Sequence, residues 1–384
     1  MIKSALTGKI IEQPIYKSTG NRSITSLSEI YNGPTEVYLD EEIGHLQTLE
    51  IESIDKYYDK EYKFFNQSDE DDVLYNVING KEIFRQQHQV DTLALKIEMK
   101  PGMHILDYGC GKGTVLKRLL EKKYDIIPYL FDVSESYVHL WNKFVKPERY
   151  ASYQTRPEWK AQFDLITSFF AFEHTPDPIK ELNSIRDLLK KDGLIYIIVP
   201  NIFENKGDFI VADHIHHYSE ISLRYIFAKS GFETLEIDTK SHFAAFIAIC
   251  KKTSDEPISF ELAQNTLADT ISEYRLIANY WNTIQLKIKE FEFNLNDQKA
   301  AIYGAGVYGN FIATTIKDLS NIECFIDQNP LLHGKNMLGK PILHPEELSK
   351  DIKAIYIGLN PLIARQAIEN IGSWENSNKT MLYL

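Results

Sequence analysis

Short apolar runs and longer amphipathic stretches alternate along the middle of the chain. Several of the runs are followed by segments whose apolar residues recur at helical spacing, as at Ile179, Leu182 and Ile185. This alternation predicts a parallel β-sheet with helices packed on its faces, and therefore an α/β fold. The predicted strands are His104–Tyr108, Ile126–Phe131, Tyr150–Thr155, Phe163–Phe170, Gly193–Pro200, Phe232–Asp238 and Phe243–Cys250.

The last two predicted strands lie close together in the sequence. Only a short turn separates Asp238 from Phe243, whereas a parallel pair would need a crossover of about a dozen residues or more. We therefore expect these two strands to pair antiparallel at one end of a sheet of seven strands.

Two helical stretches flank the predicted sheet. Gly80–Met99 has approximate helical spacing of apolar residues and ends before Pro101-Gly102, which breaks a helix. Ser254–Gln298 is predicted to form one or two long helices that connect the sheet to a third unit. The helix before the fifth strand is expected to end at Gly193, because glycine is common just after a helix.

The first part of the chain is irregular and has little apolar material for a core of its own. Alternating segments at Thr35–Leu39 and His45–Ile51 predict short strands, and Tyr57-Tyr58 and Glu61–Phe65 form an aromatic, charged stretch. We expect a small lobe that rests on the next domain. The predicted division of the chain is an N-terminal lobe at 1–79, a sheet domain at 80–252, and a helical bridge with a third unit at 253–384.

The third unit begins with a strand, a glycine turn and a helix. Ala300–Tyr303 precedes Gly304-Ala305-Gly306-Val307-Tyr308-Gly309, and Asp327 follows the next strand, Ile322–Ile326. This matches the G-x-G-x-x-G fingerprint of dinucleotide-binding folds, including the acid about 20 residues further on. However, the unit has room for only about four βα repeats, and it carries no second set of catalytic residues. We therefore favour nucleotide holding or a structural role over hydride transfer, and NAD binding stays an alternative.

Composition and charge exclude several classes of function. The net charge of -12 argues against a general nucleic-acid surface. The three cysteines, Cys110, Cys250 and Cys324, are far apart and predict neither a disulfide framework nor a metal cluster, so a reducing compartment and a cytoplasmic location are expected. No apolar run is long enough for a membrane span, and Met1–Ile11 lacks the apolar core of a signal peptide.

The most informative stretch is the turn after the first strand of the sheet domain. Asp107 lies near the end of that strand, and Gly109-Cys110-Gly111-Lys112-Gly113 leads into a helix. The glycines allow a tight turn and a close approach to a ligand, while the helix offers its N-terminal amides. The dinucleotide fingerprint would need a third glycine where Thr114 stands, so this turn predicts a different ligand.

A G-x-G-x-G turn preceded by an acid resembles motif I of the class I S-adenosylmethionine-dependent methyltransferases. The resemblance implies their seven-stranded, Rossmann-like sheet and S-adenosylmethionine as the cofactor, with the glycines passing under its methionine part. It also implies that Asp132, after the second strand, accepts the ribose hydroxyls. Arg85 is expected to pair with the cofactor carboxylate, with a solvated surface arginine as the alternative. The expected cofactor-binding residues are Asp107, Gly109, Gly111, Gly113, Asp132, Phe169, Glu173 and Arg85.

The acceptor is expected to bind in the loop after the fifth strand. The richest polar segment there is Asp213-His214-Ile215-His216-His217-Tyr218-Ser219. It resembles the aromatic–His–Glu–His–x–x–Tyr-like signature of bacterial sugar C-methyltransferases, although Val211 and Ala212 replace the upstream aromatic–His pair. Histidine is the commonest general base near neutral pH, and an acid beside an imidazole can orient it; a solvated surface loop is the alternative. The expected catalytic residues are His214 as the base, His217, Asp213 and Tyr218.

The N-terminal lobe carries a second resemblance to the same enzymes. Val37–Gln47 is similar to their zinc-knuckle segment, in which C-x-x-C-G is followed by an apolar residue and glutamine. Asp40 and Ile43 stand where the cysteines would be, and a structural zinc site needs about four good ligands. We therefore expect the shape to be kept and no metal to be bound.

Together these features imply an enzyme that methylates a sugar, expected to be nucleotide-linked and used in glycan or natural-product biosynthesis. Methylation at a carbon of a ketosugar is favoured, and methylation at an oxygen stays open. In the sugar C-methyltransferases a Rossmann-like C-terminal domain helps to enclose the nucleotide, which implies the same role here. The alternatives are an NAD-dependent enzyme and a scaffold protein that has lost the chemistry. The expected substrate-binding residues are His174, Asn201, Gly304, Gly306, Tyr308 and Asp327.

Overall fold

The computed structural model describes residues 1–51, 74–78, 81–371, 374 and 379–384. The aromatic stretch at Tyr57-Tyr58 and Glu61–Phe65 lies outside these described residues. Within the described part of the chain, no helix combines the length and the apolar character that a membrane span requires.

The middle of the chain forms the predicted seven-stranded sheet. Ala245–Lys252 pairs antiparallel with both of its neighbours, Leu189–Pro200 and Phe232–Asp238, and the other strands all run in one direction. The seven strands and the antiparallel end of the sheet are those that the sequence predicts, so the fold prediction is confirmed. Across the sheet the strands are Tyr150–Ser152, Ile126–Asp132, Met103–Tyr108, Phe163–Phe169, Leu189–Pro200, Ala245–Lys252 and Phe232–Asp238.

Helices cover both faces of this sheet. Successive residues of a strand point to opposite faces of the sheet, and each face has its own hydrophobic core. Leu106 and Ile166 pack in the core on one face, whereas Ile105 and Leu165 pack in the core on the other. Because both faces are buried, the central strands are continuous apolar runs rather than alternating ones. The helices of this domain are Arg85–Lys96, Thr114–Glu121, Val138–Trp141, Pro178–Leu188 and Glu220–Lys229.

Two predicted helix boundaries are wrong. The first part of the predicted helix Gly80–Met99 includes a strand, Lys81–Phe84, which pairs with Leu74–Ile78 and precedes the helix. The helix Pro178–Leu188 ends before Gly193, which lies inside Leu189–Pro200. In the second case, sheet pairing replaces the expected glycine cap, because Leu189 already pairs with the neighbouring strand.

The N-terminal lobe is completed by a strand from the sheet domain. His216–His217 pairs antiparallel with His45–Thr48, which pairs with Glu36–Asp40 and through it with Tyr16–Lys17. The predicted acceptor segment is therefore part of a four-stranded sheet and not a solvated loop. Smaller pairs in the lobe are Ile2–Lys3 with Ile10–Ile11 and Ser23–Ile24 with Ile30–Tyr31.

One long helix, Gln264–Asn294, joins the three parts of the chain. The Tyr274 hydroxyl donates a hydrogen bond to the carbonyl of His217 (3.1 Å), and the Trp281 indole donates to the carbonyl of Lys206 (2.8 Å). On the same helix, the Asn282 amide donates to the carbonyl of Ile15 in the lobe (3.1 Å). The helix thus fastens the lobe and the loop after the fifth strand to one another.

The third unit is a second α/β sheet, as predicted. Its central strand, Ala300–Tyr303, pairs parallel with Ile322–Ile326 and Ala354–Ile357. The side chain of Asn360 accepts the Leu362 amide and caps the last of its helices, as Asn-Pro at a helix start favours. Across the sheet the strands are Asn336–Met337, Lys340–Leu343, Ile322–Ile326, Ala300–Tyr303, Ala354–Ile357 and Thr380–Tyr383, with helices at Val307–Thr315 and Pro361–Glu369.

The packing role of Gly309 in the second glycine turn can be tested by measuring the free energy of unfolding. A Cβ atom at Gly309 would lie 1.8 Å from the carbonyl oxygen of Gly304, whereas a Cβ at Gly306 would meet nothing within 4 Å. We expect Gly309→Ala to destabilise the protein by about 1–3 kcal/mol or more, because backbone atoms cannot move aside cheaply. Gly306→Ala is the matched control and should change stability by less than about 0.5 kcal/mol. Chemical denaturation of the two variants measures both, and equal stabilities would contradict the packing role of Gly309.

Candidate active site

The first glycine turn is held open by backbone and side-chain hydrogen bonds. The amides of Gly109 and Cys110 both donate to the carbonyl of Phe131, at 2.9 and 3.0 Å, and the Trp141 indole donates to the carbonyl of Gly111 at 2.7 Å. Gly111 has a φ of +49°, and a Cβ atom there would meet no protein atom within 4 Å. The space beside Gly111 is therefore open, and it belongs to the cavity described below.

Two acids lie beside this turn in buried surroundings. Asp132 accepts the Gly111 amide at 2.7 Å and the Ser134 amide at 3.1 Å, and burial raises its pKa to about 6. Asp107 accepts the Thr167 hydroxyl at 3.0 Å, and burial raises its pKa to about 7. One carboxylate oxygen of Asp132 thus holds the glycine turn, and the other holds the segment that follows the second strand. Both acids line the cavity, and their contact with the cofactor stays a prediction.

Among the described residues, a cavity of about 1490 Å³ extends from the glycine turn to the N-terminal lobe and the third unit. Arg85 lies at its wall with the guanidinium carbon 4.3 Å from the centre of the Phe170 ring. Ser26–Glu29 of the lobe and Tyr308 and Lys335 of the third unit also line it. The predicted site residues that line this cavity are Asp107, Gly109, Gly111, Asp132, Phe169, Glu173, Arg85, His174, His214 and Tyr308.

Other predicted site residues do not line the cavity. A Cβ atom at Gly113 would meet Leu130 and Phe144 in the core at 3.0–3.2 Å, so Gly113 serves packing. Asn201 turns the chain by accepting the Phe203 amide (3.0 Å) and is buried. Gly304, Gly306 and Asp327 lie outside the cavity lining, and Asp327 accepts the Ala305 amide at 2.9 Å within its own loop.

The polar end of the cavity is formed by Glu173, His174 and His214. Glu173 is 1% exposed, its Oε2 has no hydrogen-bond partner among the described residues, and burial raises its pKa to about 7. Burial, together with the neighbouring charge of His214, lowers the pKa of His174 to about 4, so this imidazole is neutral near pH 7. The His174 and His214 rings meet edge to face, with their centres 4.8 Å apart.

The carboxylate partner of His214 is Asp208. His214 Nδ1 lies 2.7 Å from Asp208 Oδ1, although the ring N–H is not well aligned with that oxygen. Burial alone would lower the pKa of His214, but the negative charges of Asp208, Glu173 and Asp213 outweigh it and raise the pKa to about 9. Near pH 7 His214 is therefore the doubly protonated imidazolium, and it can act as the predicted base only after it loses one of its two ring protons.

Asp213 does not orient His214, so that prediction is wrong. Its carboxylate is fully buried and accepts the amide and the hydroxyl of Ser26, both at 2.7 Å. Its backbone carbonyl lies 2.7 Å from Nδ1 of His174. Asp213 thus anchors a loop of the lobe to the site and fixes the neighbouring histidine instead.

His217 and Tyr218 are interior residues and do not reach the cavity. The two ring nitrogens of His217 lie 3.2 Å from Asp208 Oδ2 and 2.9 Å from the Thr48 hydroxyl. The Tyr218 hydroxyl donates to the carbonyl of Phe172 at 3.4 Å, and both side chains are about 1% exposed. Their predicted catalytic role is therefore corrected to a structural one, because the His216–His217 strand turns them into the packed interior.

Asp208 is the site residue that sequence reasoning missed. It lies in the 3₁₀ turn Lys206–Ile210 and bridges His214 and His217 with its two oxygens. Although burial alone would raise its pKa, the two histidines lower it. The loop also contains Glu204 and Asp213, and nothing local in the sequence distinguishes the acid that reaches the imidazole.

The knuckle-like segment forms a hairpin, Glu36–Asp40 with His45–Thr48. Asp40 accepts the Thr7 hydroxyl (2.5 Å) and the Glu42 amide (3.1 Å), and Ile43 is buried in the apolar core. The residues at the two cysteine positions thus hold the turn by a hydrogen bond and by packing. The expectation that this segment binds no metal stays a prediction.

Comparison with known proteins adds the following similarities. Residues 84–237 match a family model described as a methyltransferase domain. The C-methyltransferase NovU of Streptomyces niveus is 26% identical over 217 residues, which cover 52% of this chain and 51% of NovU. The ubiquinone biosynthesis O-methyltransferase of Acinetobacter baylyi is 25% identical over 131 residues, which cover 31% of this chain and 54% of that protein.

The chain spans about half the length of these curated relatives. Among solved structures, a SAM-dependent methyltransferase from Aquifex aeolicus is 21% identical with a TM-score of 0.36, and the match covers 43% of this chain and 89% of that one.

Proposed function

Because residues 84–237 form a class I S-adenosylmethionine-dependent methyltransferase domain, we propose that the protein methylates a carbon atom of a nucleotide-linked ketosugar. S-adenosylmethionine is the cofactor of this domain, and it supplies an electrophilic methyl group on a sulfonium when bound. The identity of the acceptor is the proposal, and the residues at the polar end of the cavity support it.

The observation that carries the proposal is the size and course of the cavity. Pockets for one small ligand have volumes of about 300–1,000 Å³, and this cavity measures about 1490 Å³. It therefore has room for a cofactor and an acceptor together. It also runs without interruption from Gly111 to His214 and on to Lys335 of the third unit.

The residues around the glycine turn fit the cofactor. The open space beside Gly111 is a cradle that any side chain at this position would fill. Asp132 stands at the end of the second strand, where a carboxylate can accept both hydroxyls of a ribose. Arg85 lies at the wall of the same cavity, where its fork of N–H donors suits a carboxylate.

The opposite end of the cavity fits a polar acceptor. Glu173, His174 and His214 present one carboxylate and two imidazoles to a buried space, and such groups hold hydroxyl and carbonyl oxygens. Lys335 lines the cavity from the third unit, where its positive charge suits a phosphate of a nucleotide. These contacts would hold the acceptor carbon in line with the methyl group, which is the main requirement of a displacement reaction.

Methylation at an oxygen is the second candidate, and the similarity to ubiquinone biosynthesis O-methyltransferases favours it. That similarity spans 131 residues, whereas the similarity to the C-methyltransferase NovU spans 217. The longer alignment supports carbon methylation. Proton NMR of the product distinguishes the two outcomes, because a methyl group on oxygen resonates well downfield of one on carbon.

Calorimetry with two ligands tests the cofactor assignment against the NAD alternative. We expect S-adenosylhomocysteine to bind with one site per chain and NAD to show no binding. In contrast to Gly109 and Gly111, neither Gly304 nor Gly306 lines the cavity. Binding of NAD without binding of S-adenosylhomocysteine would refute the proposed function.

Asp132→Ala is expected to weaken S-adenosylhomocysteine binding by about 10-fold or more. Hydrogen bonds to charged groups contribute about 1.5–3 kcal/mol each, and the substitution also removes the brace on the Gly111 amide. Asp132→Asn is the matched variant, because it keeps one oxygen for that amide and should lose less affinity. Isothermal titration calorimetry of both variants checks this, and wild-type affinity in Asp132→Ala would contradict the ribose contact.

A further inference from the structure

Glu173, His174 and His214 form a cluster that has the composition of a metal site. Each residue offers one ligand atom, and these atoms lie within 4.8 Å of one another. We propose that the three side chains hold a divalent transition-metal cation, such as Zn²⁺ or Mn²⁺, at the acceptor end of the cavity.

The first supporting observation is the support behind each imidazole. His174 Nδ1 lies 2.7 Å from the carbonyl oxygen of Asp213, and His214 Nδ1 lies 2.7 Å from Asp208. Histidines that bind metals usually donate one ring N–H to a carbonyl or a carboxylate, which fixes the ring and presents the other nitrogen to the ion. Nδ1 of each histidine thus lies beside an acceptor, the backbone carbonyl of Asp213 for His174 and the Asp208 carboxylate for His214, although the N–H of His214 is not well aligned with its acceptor.

The second observation is the state of Glu173. Its side chain is 1% exposed, and within the part of the chain that the structure describes the fully buried Oε2 has no hydrogen-bond partner. A buried carboxylate oxygen without a partner is costly, because it loses its hydration without replacement. A cation between Glu173 and the two imidazoles would satisfy this oxygen directly.

The donor set indicates the kind of ion. Two imidazole nitrogens and one carboxylate suit borderline ions such as Zn²⁺, Mn²⁺ or Fe²⁺, whereas Ca²⁺ and Mg²⁺ prefer oxygen ligands. Metal–ligand distances of about 2.0–2.2 Å place ligand atoms roughly 3–3.5 Å apart. The cluster must therefore contract by about 1 Å or more at its widest when the ion binds. Ligation requires a neutral imidazole, so the ion displaces the proton on His214.

Three protein ligands leave open coordination positions, and these face the cavity. An oxygen of the acceptor can occupy one of them, and this role of the ion rests on the proposed function. The site differs from the zinc-knuckle segment, where Asp40 and Ile43 replace the cysteines. It lies in the sheet domain, at the turn Phe172–His174 after the fourth strand and in the loop that carries His214.

Cobalt titration of the full-length protein tests the site. After chelator treatment and dialysis, we expect Co²⁺ alone to bind with one equivalent per chain and to give visible d–d absorption. His174→Gln and His214→Gln should each lower the Co²⁺ affinity by at least about 10–100-fold, and Asp208→Asn by a smaller factor. His139→Gln is the matched control, because His139 is exposed and lies outside the cluster, and its affinity should equal that of the wild type.

The wild-type titration decides the inference even if a variant fails to fold. Absence of a saturable Co²⁺ band, or a band that survives in folded His174→Gln and His214→Gln proteins, would overturn it. Calorimetry of the metal-free protein with S-adenosylhomocysteine separates this result from the proposed function. Cofactor binding without Co²⁺ binding refutes only the metal site, whereas Co²⁺ binding without cofactor binding refutes only the proposed function.

Discussion

Gly111→Val is expected to abolish binding of S-adenosylhomocysteine, with a loss of at least about 100-fold in affinity. A Cβ atom at Gly111 would have no atom of the described residues within 4 Å, and the space beside it opens into the cavity. A branched side chain would therefore occupy the space that the cofactor needs without first clashing with the protein. Overfilling a close-packed site costs about 1–3 kcal/mol and sometimes more, and each 1.4 kcal/mol is a factor of ten in affinity.

Gly102→Val is the matched control for this experiment. Gly102 has a φ of +77°, a Cβ atom there also meets nothing within 4 Å, and the residue does not line the cavity. Both variants thus introduce a branched residue into a left-handed backbone conformation, so any strain is shared between them. Calorimetry should show near wild-type affinity for Gly102→Val. Equal affinities in the two variants would contradict the position assigned to the cofactor.

The seven-stranded sheet was predictable because its signals are local. Strands buried on both faces are apolar runs, and the turn between Asp238 and Phe243 is too short for a crossover. The strand His216–His217 was not predictable in the same way. It pairs with the strand that begins at His45, 171 residues from His216. Two residues carry no periodicity, so only the tertiary structure reveals that pairing.

The part of the candidate site that directly follows predicted strands was also predictable from local signals. The glycine turn, Asp107 and Asp132 follow strands directly, and the carboxyl ends of parallel strands meet at one edge of the sheet. Asp213 was chosen as the partner of His214 because the two are adjacent. Neighbouring side chains in an extended segment point to opposite sides, so adjacency is a poor guide there. Asp208 reaches the imidazole from a separate turn of the same loop instead.

The pairing of His216–His217 with the lobe has a consequence for the site. Thr48, His217 and Asp208 form a buried hydrogen-bonded chain, and Asp208 Oδ1 at its end lies 2.7 Å from Nδ1 of His214. Tyr274 of the long helix donates to the carbonyl of His217 from the other side. The polar end of the cavity is therefore held by the lobe, the sheet domain and the helix together. A site fixed in this way can position an acceptor with little reorganisation.

In the metal-free protein, where the His214 ring is not a ligand of the proposed cation, His214→Ala is expected to lower turnover by about 10²–10⁴-fold, the range found for loss of a positioned acid–base group. His214 lines the cavity beside Glu173 and is held by Asp208, so its ring is placed to contact the acceptor. Affinity for S-adenosylhomocysteine should stay within a few-fold, because the cofactor contacts lie at the glycine turn. The measurement is kcat with a nucleotide-linked ketosugar that the wild type methylates, alongside calorimetry.

Two further variants show whether the effect of His214→Ala comes from the loss of this particular imidazole. His139→Ala removes an exposed imidazole outside the cavity and should leave turnover and affinity unchanged. Asp208→Asn keeps the shape of the acid but removes the charge that holds His214, so it should lower kcat less than His214→Ala does. If His214→Ala kept turnover within a few-fold while a folded His217→Ala lost it, the role would move to His217. For that role the buried His217 ring would have to break its contacts with both Asp208 and Thr48, which lie 3.2 and 2.9 Å from its two nitrogens.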